Sequence, residues 1–296
     1  MLFAAIDIGS NAARLLFANA YEKNGLPKIE KASIIRIPTR LGEDVYHNNK
    51  ISKEKAHDFI KTMKAFKLLI DVYKPISYKA YATAALREAK NSKEILKKIK
   101  KETGLKIKVI DGMLEAETIR RNKQAIFPNN NAYTLHMDVG GGSTELSIEK
   151  EGQLIQSKSF KIGTLRVLKG KINKTVLDDI NDWLQAFKKE FKNFNMLGTG
   201  GNIKKLSKVF GNNDTKELHI KDLEVAHSKL KSLSVKERIK IYGFRPDRAD
   251  VIEPAAFLFL YVMNIIKAPY IRALRTGLAD GLILEQYNDY TNNKNK

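Results

Sequence analysis

The chain contains one strand–turn–strand pattern twice. Residues 3–17 read FAAIDIGSNAARLLF, and residues 135–148 read LHMDVGGGSTELSI. In each segment an apolar strand leads to an aspartate, an aliphatic residue and a glycine, and small residues then lead into a second strand. The two aspartates, Asp7 and Asp138, are 138 − 7 = 131 positions apart. The pattern predicts a duplicated domain; a chance likeness between two unrelated units is the alternative that it leaves open.

The remaining segments predict an α/β architecture. Helical and strand patterns alternate in both halves of the 296 residues, which is about the length of two domains of roughly 150 residues each. We expect a first domain at 1–126 and a second at 127–296, joined at the stretch FPNNNA. A C-terminal helix at about 278–290 is expected to pack back on the first domain.

Three local expectations test this assignment. The apolar stripe after Ser52 predicts a helix that runs to about Tyr73, with Ser52 as its cap. Residues 29–42 are expected to form a strand throughout, and the polar tail 288–296 is expected to be frayed.

Charge and composition limit the classes of partner. Lys and Arg exceed Asp and Glu by 53 − 33 = 20, so the surface attracts polyanions. Lysine-rich helices are commonly solvated faces, so nucleic acid is not expected as a partner. The absence of cysteine excludes disulfides, thiolate metal sites and cysteine-nucleophile phosphatase chemistry, and it fits a cytoplasmic location.

No membrane association is expected from the sequence. The amino terminus lacks the basic region and cleavage site of a signal peptide. The most apolar stretch, 251–267, carries Glu253 and Pro254 near its start and is interpreted as a buried helix.

Glycine-rich turns after strands indicate anion binding. The three turns are Gly9-Ser10-Asn11, Gly140-Gly141-Gly142-Ser143 and the segment LGTGGN at 197–202. Backbone N–H groups in such turns can converge on a phosphate, although an ordinary tight connection explains any one of them equally well. Asp7 and Asp138 end apolar strands, where turn capping is the simple explanation for each. Together with Glu145 they favour a Mg²⁺–phosphate site.

Seven sequence blocks resemble the Ppx/GppA family of exopolyphosphatases and guanosine pentaphosphate phosphohydrolases. The likeness extends over residues 3–288. The blocks are DIGSNAARLL at 7–16, ATAALREAKN at 82–91, GMLEA at 112–116, DVGGGSTEL at 138–146, IGTLR at 162–166, GTGGN at 198–202 and RPDRADVIEPAA at 245–256. The resemblance implies two actin-like (ribonuclease H-like) α/β domains flanking a cleft, as in the superfamily of actin, sugar kinases and Hsp70. It also implies a short form of the family without C-terminal helical domains.

The resemblance also implies roles for individual residues. Glu115 matches the general base and Arg87 a phosphate-contacting arginine, while Leu114 stands where the family has another glutamate. Without the resemblance, Glu115 would be interpreted as a solvated helix residue. The matching phosphate-binding residues are Ser10, Asn11, Gly141, Gly142, Ser143 and Gly200, and the matching metal-associated acids are Asp138, Glu145 and Asp7. Arg40, Arg166 and Arg248 fall in matching blocks, with a structural ion pair as the alternative for each.

These matches imply a Mg²⁺-dependent hydrolase of phosphoanhydride bonds. It would release terminal orthophosphate from inorganic polyphosphate, from guanosine pentaphosphate, or from both. The alternatives are a non-catalytic sensor of guanosine tetra- or pentaphosphate and a kinase of the same superfamily. No local feature reports a guanine pocket, and a homodimer stays open.

Overall fold

The computed structural model describes residues 1–121, 133–170, 172, 174–188, 194–212 and 214–294. It contains two mixed sheets with helices, so the predicted α/β class is confirmed. The chain divides into two compact units, the first spanning Met1–Asn122 and Thr276–Lys296 and the second Lys123–Arg275. The expected linker at 127–132 lies outside the described residues.

The first unit is built on a five-stranded sheet of order β3-β2-β1-β4-β5. Its strands are β1 (Leu2–Ile8), β2 (Ala13–Lys23), β3 (Leu26–Ile37), β4 (Tyr78–Ala82) and β5 (Lys108–Val109). Its helices are α1 (Leu41–Asn48), α2 (Lys53–Tyr73), α3 (Ala84–Glu88), α4 (Ser92–Thr103), α5 (Gly112–Arg120) and α13 (Leu278–Lys294). Strands β1, β4 and β5 are parallel, so their carboxyl ends share one edge of the sheet.

The C-terminal helix α13 belongs to the first unit and packs on β1, β2 and α5. Leu282 and Ile283 are fully buried in a cluster with Phe3. Lys79 on β4 forms ion pairs of 2.7 Å with both Glu285 and Asp289. The helix continues to Lys294, so the expectation of a frayed tail is wrong for residues 288–294; residues 295 and 296 lie outside the described residues.

The second unit is built on a six-stranded sheet of order β10-β11-β9-β6-β7-β8. Its strands are β6 (Tyr133–Val139), β7 (Thr144–Lys150), β8 (Gln153–Phe160), β9 (Phe194–Thr199), β10 (Glu217–His219) and β11 (Tyr270–Ala273). Its helices are α6 (Thr164–Leu168), α7 (Lys174–Lys188), α8 (Gly201–Phe210), α9 (Ile220–Ser232), α10 (Val235–Tyr242), α11 (Pro246–Ala249) and α12 (Ile252–Ile266).

The two sheets share one topology. The order β8-β7-β6-β9-β11 repeats the order β3-β2-β1-β4-β5, with antiparallel and parallel pairs in the same places. The register repeats as well, because Asp7 pairs with Arg14 across β1 and β2, and Asp138 pairs with Glu145 across β6 and β7. This agreement supports the interpretation of the sequence pattern as a duplication rather than a chance likeness.

The apolar stretch near the end of the second unit is a core helix. Residues Pro246–Ile266 are long and apolar enough to cross a membrane by length and composition, but 67% of the apolar 18-residue stretch within them is buried inside the protein. In α12, Ala255, Phe259 and Met263 have no exposed surface. The predicted buried helix is therefore confirmed.

The local helix expectations give a mixed outcome. Helix α2 begins at Lys53, and the Ser52 side chain accepts a hydrogen bond from the Lys55 N–H, as predicted. The strand expected over 29–42 ends at Ile37, directly before Pro38, which has no N–H for the ladder. A helix that the pattern did not predict, α1, follows from Leu41.

Candidate functional site

The loop between β6 and β7, Gly140–Ser143, is a compact turn with three glycines. The Gly140 N–H donates to the Ser143 carbonyl over 2.9 Å. From the start of α6, the N–H groups of Thr164 and Leu165 donate to the carbonyls of Gly140 and Gly141 over 3.0 and 2.9 Å. With the carbonyls held in this way, the loop keeps one conformation, and the glycines leave no side chains in the way of an incoming anion.

Glycine is required at the contact between this loop and α6. A Cβ added at Gly163 would lie 2.6 Å from the backbone carbon of Gly141 and 2.6 Å from the Gly142 nitrogen. Arg166, one turn later, donates from Nε to the Gly142 carbonyl over 2.7 Å. The structure therefore places Arg166 as a brace of the loop backbone.

Two carboxylates lie beside this loop. Asp138 and Glu145 are directly opposite each other on β6 and β7, and their nearest ligand oxygens are within 4.8 Å. Glu145 is 2% exposed, and its Oε1 accepts a hydrogen bond of 2.8 Å from Ser159 on β8. Two acids opposite each other repel, and a divalent cation coordinated by carboxylate oxygens relieves this repulsion. The donor set fits Mg²⁺, which accepts a few carboxylates together with water and phosphate oxygens.

The third glycine turn meets the same aspartate. Gly200 follows β9 at the N-cap of α8 and has φ 98° and ψ 167°, a conformation that belongs essentially to glycine. A Cβ at this position would lie 3.0 Å from the Asp138 Oδ1 atom. The first N–H groups of α8 thus begin next to the carboxylate pair, where they favour bound anions. Within the second unit the structure therefore brings together Asp138, Glu145, the Gly140–Ser143 loop and Gly200.

Arg248 lies close to the same turn. A Cβ added at Gly201 would lie 2.9 Å from the Arg248 Nη2 atom. Gly201 therefore allows the guanidinium to approach the start of α8.

The loop between β1 and β2 repeats the backbone pattern in the first unit. The Gly9 N–H donates to the Ala12 carbonyl over 3.0 Å, as Gly140 does to Ser143. The Ser10 and Asn11 carbonyls accept hydrogen bonds from the N–H groups of Gly42 and Arg40 over 2.9 and 3.1 Å. The Ser10 hydroxyl is buried and shares a hydrogen bond of 2.6 Å with the Tyr46 hydroxyl.

The aspartate of the first unit has a different partner. Asp7 is 6% exposed, and its Oδ2 atom lies 2.6 Å from the Arg14 Nη1 atom. Arg14 stands at the position that Glu145 occupies in the second unit, since each follows its aspartate by seven residues. The charge of Asp7 is thus already balanced by the protein, and its role as a metal ligand stays a prediction.

Arg40 takes part in a local ion-pair network. Its guanidinium lies 2.6 Å from Glu43 Oε1, and Lys55 lies 2.7 Å from Glu43 Oε2. Burial raises the pKa of Glu43, but the hydrogen bonds from Arg40 and Lys55 outweigh it and hold that pKa below its ordinary value. The ion-pair alternative for Arg40 is therefore what the structure shows.

Arg87 differs from Arg14 and Arg40, which both lie in ion pairs. It lies in α3, which starts directly after β4, and its Nη1 donates to the Ile110 carbonyl over 2.8 Å. Among the described residues it has no carboxylate partner. Its remaining guanidinium N–H groups can therefore bind an oxyanion in the forked geometry that phosphate accepts.

Glu115 lies in the first turn of α5, which follows β5. Asp111 caps this helix by accepting a hydrogen bond of 2.8 Å from the Leu114 N–H. Glu115 is only 9% exposed, so its interpretation as a solvated helix residue is wrong. The neighbouring Leu114 packs against the hydrophobic cluster of the first unit. Because β5 is parallel to β4, and β4 to β1, the residues that directly follow these strands, Ile110, Thr83 and Gly9, lie at the same end of the sheet.

Sequence reasoning missed the residues that support the site from other elements. Ser159 holds Glu145, Tyr46 holds Ser10, and Arg14 balances Asp7. The position of Arg14 could have been found from the repeat, because it follows Asp7 by the same interval that separates Asp138 from Glu145. No local pattern indicated Ser159 or Tyr46.

Comparison with protein families gives one match over most of the chain. Residues 29–289 match the model of the Ppx/GppA phosphatase family. Among curated relatives, a bifunctional 3-dehydroquinate synthase/phosphatase of Fusobacterium nucleatum is 27% identical over 312 residues, covering 96% of this chain and 46% of that protein. Exopolyphosphatase 1 of Mycobacterium leprae is 30% identical over 167 residues, covering 56% of this chain and 48% of that protein. The chain thus spans about half the length of these relatives.

A solved structure shows the same fold. An exopolyphosphatase from Cytophaga hutchinsonii superposes with a TM-score of 0.83 at 22% identity, covering 98% of both chains.

Proposed function

Because the chain belongs to the Ppx/GppA phosphatase family, we propose that it is a divalent-cation-dependent phosphohydrolase that releases terminal orthophosphate from inorganic polyphosphate. Guanosine pentaphosphate is the second substrate that the resemblance implies. Two features support a polyanionic substrate, namely the net charge of +20 and the similarity to proteins named exopolyphosphatases.

The observation that carries the proposal is the pairing of Asp138 with Glu145 beside a glycine loop. Their carboxylate oxygens lie within 4.8 Å, and the Gly140–Ser143 turn joins the two strands that carry them. Two acids alone would repel a phosphate, whereas two acids that hold a divalent cation attract it. In such a site Mg²⁺, when bound, neutralises charge on the phosphate oxygens that develops during phosphoryl transfer.

The residues of the chain would bind the phosphate oxygens and accept the proton of the attacking water. The N–H groups of the glycine turns hold the equatorial phosphate oxygens, and the Arg87 fork binds two oxygens of the terminal group. Glu115 accepts a proton from a water molecule as that water attacks phosphorus in line with the bridging oxygen. The bond between phosphorus and the bridging oxygen breaks, and orthophosphate leaves from a chain shortened by one unit. No covalent bond to the protein is required.

The test is release of orthophosphate without an added acceptor. The purified protein is incubated with long polyphosphate or with guanosine pentaphosphate at fixed free Mg²⁺, and phosphate is measured over time with and without chelator. Hydrolysis that the chelator abolishes and that Glu115→Gln lacks supports the proposal. Phosphate transfer only to an added acceptor would indicate a kinase, and binding without turnover would indicate a sensor; either result overturns the proposal.

A further inference from the structure

A basic groove lies on the first unit. It has a volume of ≈ 410 Å³ and lies between the end of α4 and the segment that leads into β5. Four lysines line it, Lys97, Lys100, Lys106 and Lys108, over apolar side chains that include Leu105 and Ile107. None of the catalytic, phosphate-binding or metal-associated positions named above lines the groove.

The local sequence explains how the groove forms. Lys97 and Lys100 are three positions apart, so they share a face of α4. Gly104 ends the helix with φ 72°, a left-handed conformation that turns the chain back. Leu105, 1% exposed, anchors the returning segment, and the Lys106 N–H donates to the Tyr78 hydroxyl over 3.1 Å. The lysines of the segment therefore face those of the helix across a fixed gap.

Among the described residues, the protein does not pair the groove lysines with carboxylates; the Lys108 ammonium lies 5.6 Å from the centroid of the Tyr81 ring. All four lysines are exposed. The lining contains no acidic residue. Four like charges in one concave surface produce a local positive potential that a polyanion lowers. The groove thus has two features of a binding site, the unpaired positive charges and the concave shape, and the concave shape is not expected of an ordinary solvated lysine face.

The kind of polyanion follows from what the lining lacks. Nucleotides and single-stranded nucleic acids are held by aromatic or arginine side chains on which bases stack, as well as by phosphate contacts. None of the residues that line the groove is aromatic or arginine. Lysines act as point charges, which suit a string of phosphates without bases.

We propose that this groove binds the body of a long inorganic polyphosphate chain, at a second position besides the one where its end is hydrolysed. The inference rests on the proposed function, since it names how the same substrate is held. Binding at two positions raises the effective concentration of the chain end at the reacting residues. Chains too short to reach both positions gain nothing, so affinity rises with chain length and then levels off.

The experiment compares two variants with the same change of charge. The groove variant replaces Lys97, Lys100, Lys106 and Lys108 with Gln. The control variant replaces Lys221, Lys229, Lys236 and Lys240, exposed lysines of α9 and α10, with Gln. Equilibrium binding of end-labelled long polyphosphate and of a single-stranded RNA is measured at two ionic strengths, and kcat and KM are measured for long polyphosphate and for tripolyphosphate. Thermal melting verifies that both variants are folded.

We expect the groove variant to bind long polyphosphate at least about ten-fold more weakly at low salt. The slope of log K against log salt should fall in magnitude by about 3, because each neutralised charge contributes about 0.7 to this slope on single-stranded nucleic acid and four lysines are removed. Its kcat and its KM for tripolyphosphate stay within about two-fold of the parent chain, because those lysines do not touch the reacting group. The control variant keeps most of its affinity for the long chain.

Three results would overturn the inference. The first is a groove variant that binds polyphosphate as tightly as the parent chain. The second is a control variant that loses as much polyphosphate affinity as the groove variant. The third is a parent chain that binds RNA more tightly than polyphosphate, with the RNA binding abolished by the groove substitutions. The binding measurement needs no turnover. If the parent chain fails to hydrolyse polyphosphate, the proposed function fails while the binding result still decides the groove.

Discussion

Asp138 and Glu145 face each other across β6 and β7, while in the equivalent pair of the first sheet Asp7 faces Arg14. Asp7 and Arg14 form an ion pair with a 2.6 Å contact. Asp138 and Glu145 are two acids whose ligand oxygens lie within 4.8 Å. The same backbone arrangement thus carries an aspartate neutralised by an arginine in the first unit, and two carboxylates suited to bind a cation in the second unit. The charge of one residue makes this difference.

The carboxylate pair should determine the divalent-cation dependence. We expect Asp138→Asn and Glu145→Gln each to raise the Mg²⁺ concentration for half activity at least about ten-fold, since loss even of a ligand's supporting partner has effects of 10- to 100-fold. Without a divalent cation, each variant should melt at a higher temperature than the parent chain, because the like-charge repulsion is gone. Thermal melting with and without Mg²⁺ measures this separately from activity.

The control for the carboxylate pair is Glu149→Gln. Glu149 lies on the same strand, 3.2 Å from His136. Its substitution should leave the Mg²⁺ dependence unchanged. If Asp138→Asn had the same metal dependence as the parent chain, the metal assignment would be wrong.

Gly200 should be sensitive to a single methyl group. Gly200→Ala forces alanine into a conformation that costs about 1–3 kcal/mol, and it places a Cβ 3.0 Å from the Asp138 Oδ1 atom. We expect lower stability together with weaker Mg²⁺ binding. Gly243→Ala is the matched control, because Gly243 also has positive φ, 59°, but nothing within 4 Å of an added Cβ. An equal Mg²⁺ affinity in both variants, measured by titration calorimetry, would count against the position assigned to Gly200.

The stability of the second unit should depend on acid through Glu253. Its hydrogen bond with His227, 2.9 Å long, lowers the pKa of the Glu253 carboxyl, against the opposing effect of burial. A lowered pKa gives stability that is present above the ordinary glutamate value of 4.5 and is lost as pH falls through the folded-state value. We expect Glu253→Gln to destabilise the chain by about 1 kcal/mol at pH 7 and by less at pH 4, because part of the stabilisation is already lost below 4.5. Urea unfolding at both values checks this, and a difference that persisted unchanged in acid would contradict it.

The sequence predicted the parts of the fold that depend on local pattern. The two repeats, their glycine turns and most helices follow from periodicity and from residues such as Ser52 and Gly104, which end or cap helices. Helix α1 was missed because its N-cap, Arg40, makes no side-chain capping hydrogen bond, so no start signal exists. The frayed tail was wrong because Asp289 and Tyr290 are held by tertiary contacts that a polar composition does not reveal.

The identity of many candidate site residues could be predicted from the sequence, whereas the partners that hold them could not. The glycines and the two aspartates could be read from the repeat, because each lies at the end of the first strand of its copy or in the turn that follows. The partners of these residues could not, because Ser159 and Tyr46 come from β8 and α1, elements that only the folded chain brings to the loops. Burial of Glu115 is equally non-local, since the sequence around it is that of an ordinary helix start.

Arg87 should act through its charge and its planar geometry. We expect Arg87→Gln to lower kcat/KM about 10- to 100-fold, the range for loss of hydrogen bonds to a charged group, and Arg87→Lys to recover only part of this. Since Arg87 also bonds to the Ile110 carbonyl, melting temperatures must accompany the kinetics. Arg121→Gln, which removes an exposed arginine paired with Glu117, should leave kcat/KM unchanged. Full recovery by lysine would show that forked binding is not needed.

Glu115 should carry the proton transfer. Glutamine keeps the size and shape of the buried side chain but cannot accept a proton from water, so Glu115→Gln should reduce kcat by about 10² or more. KM should stay within a few-fold, because the loss falls on the transition state rather than on substrate binding. Steady-state kinetics of orthophosphate release at fixed free Mg²⁺ measure both values. Glu117→Gln, two positions along α5 where the side chain is 41% exposed and paired with Arg121, is the control and should retain parental kcat. A Glu115→Gln chain with more than half of the parental kcat would remove this residue from the mechanism, and a water molecule activated elsewhere would have to be sought.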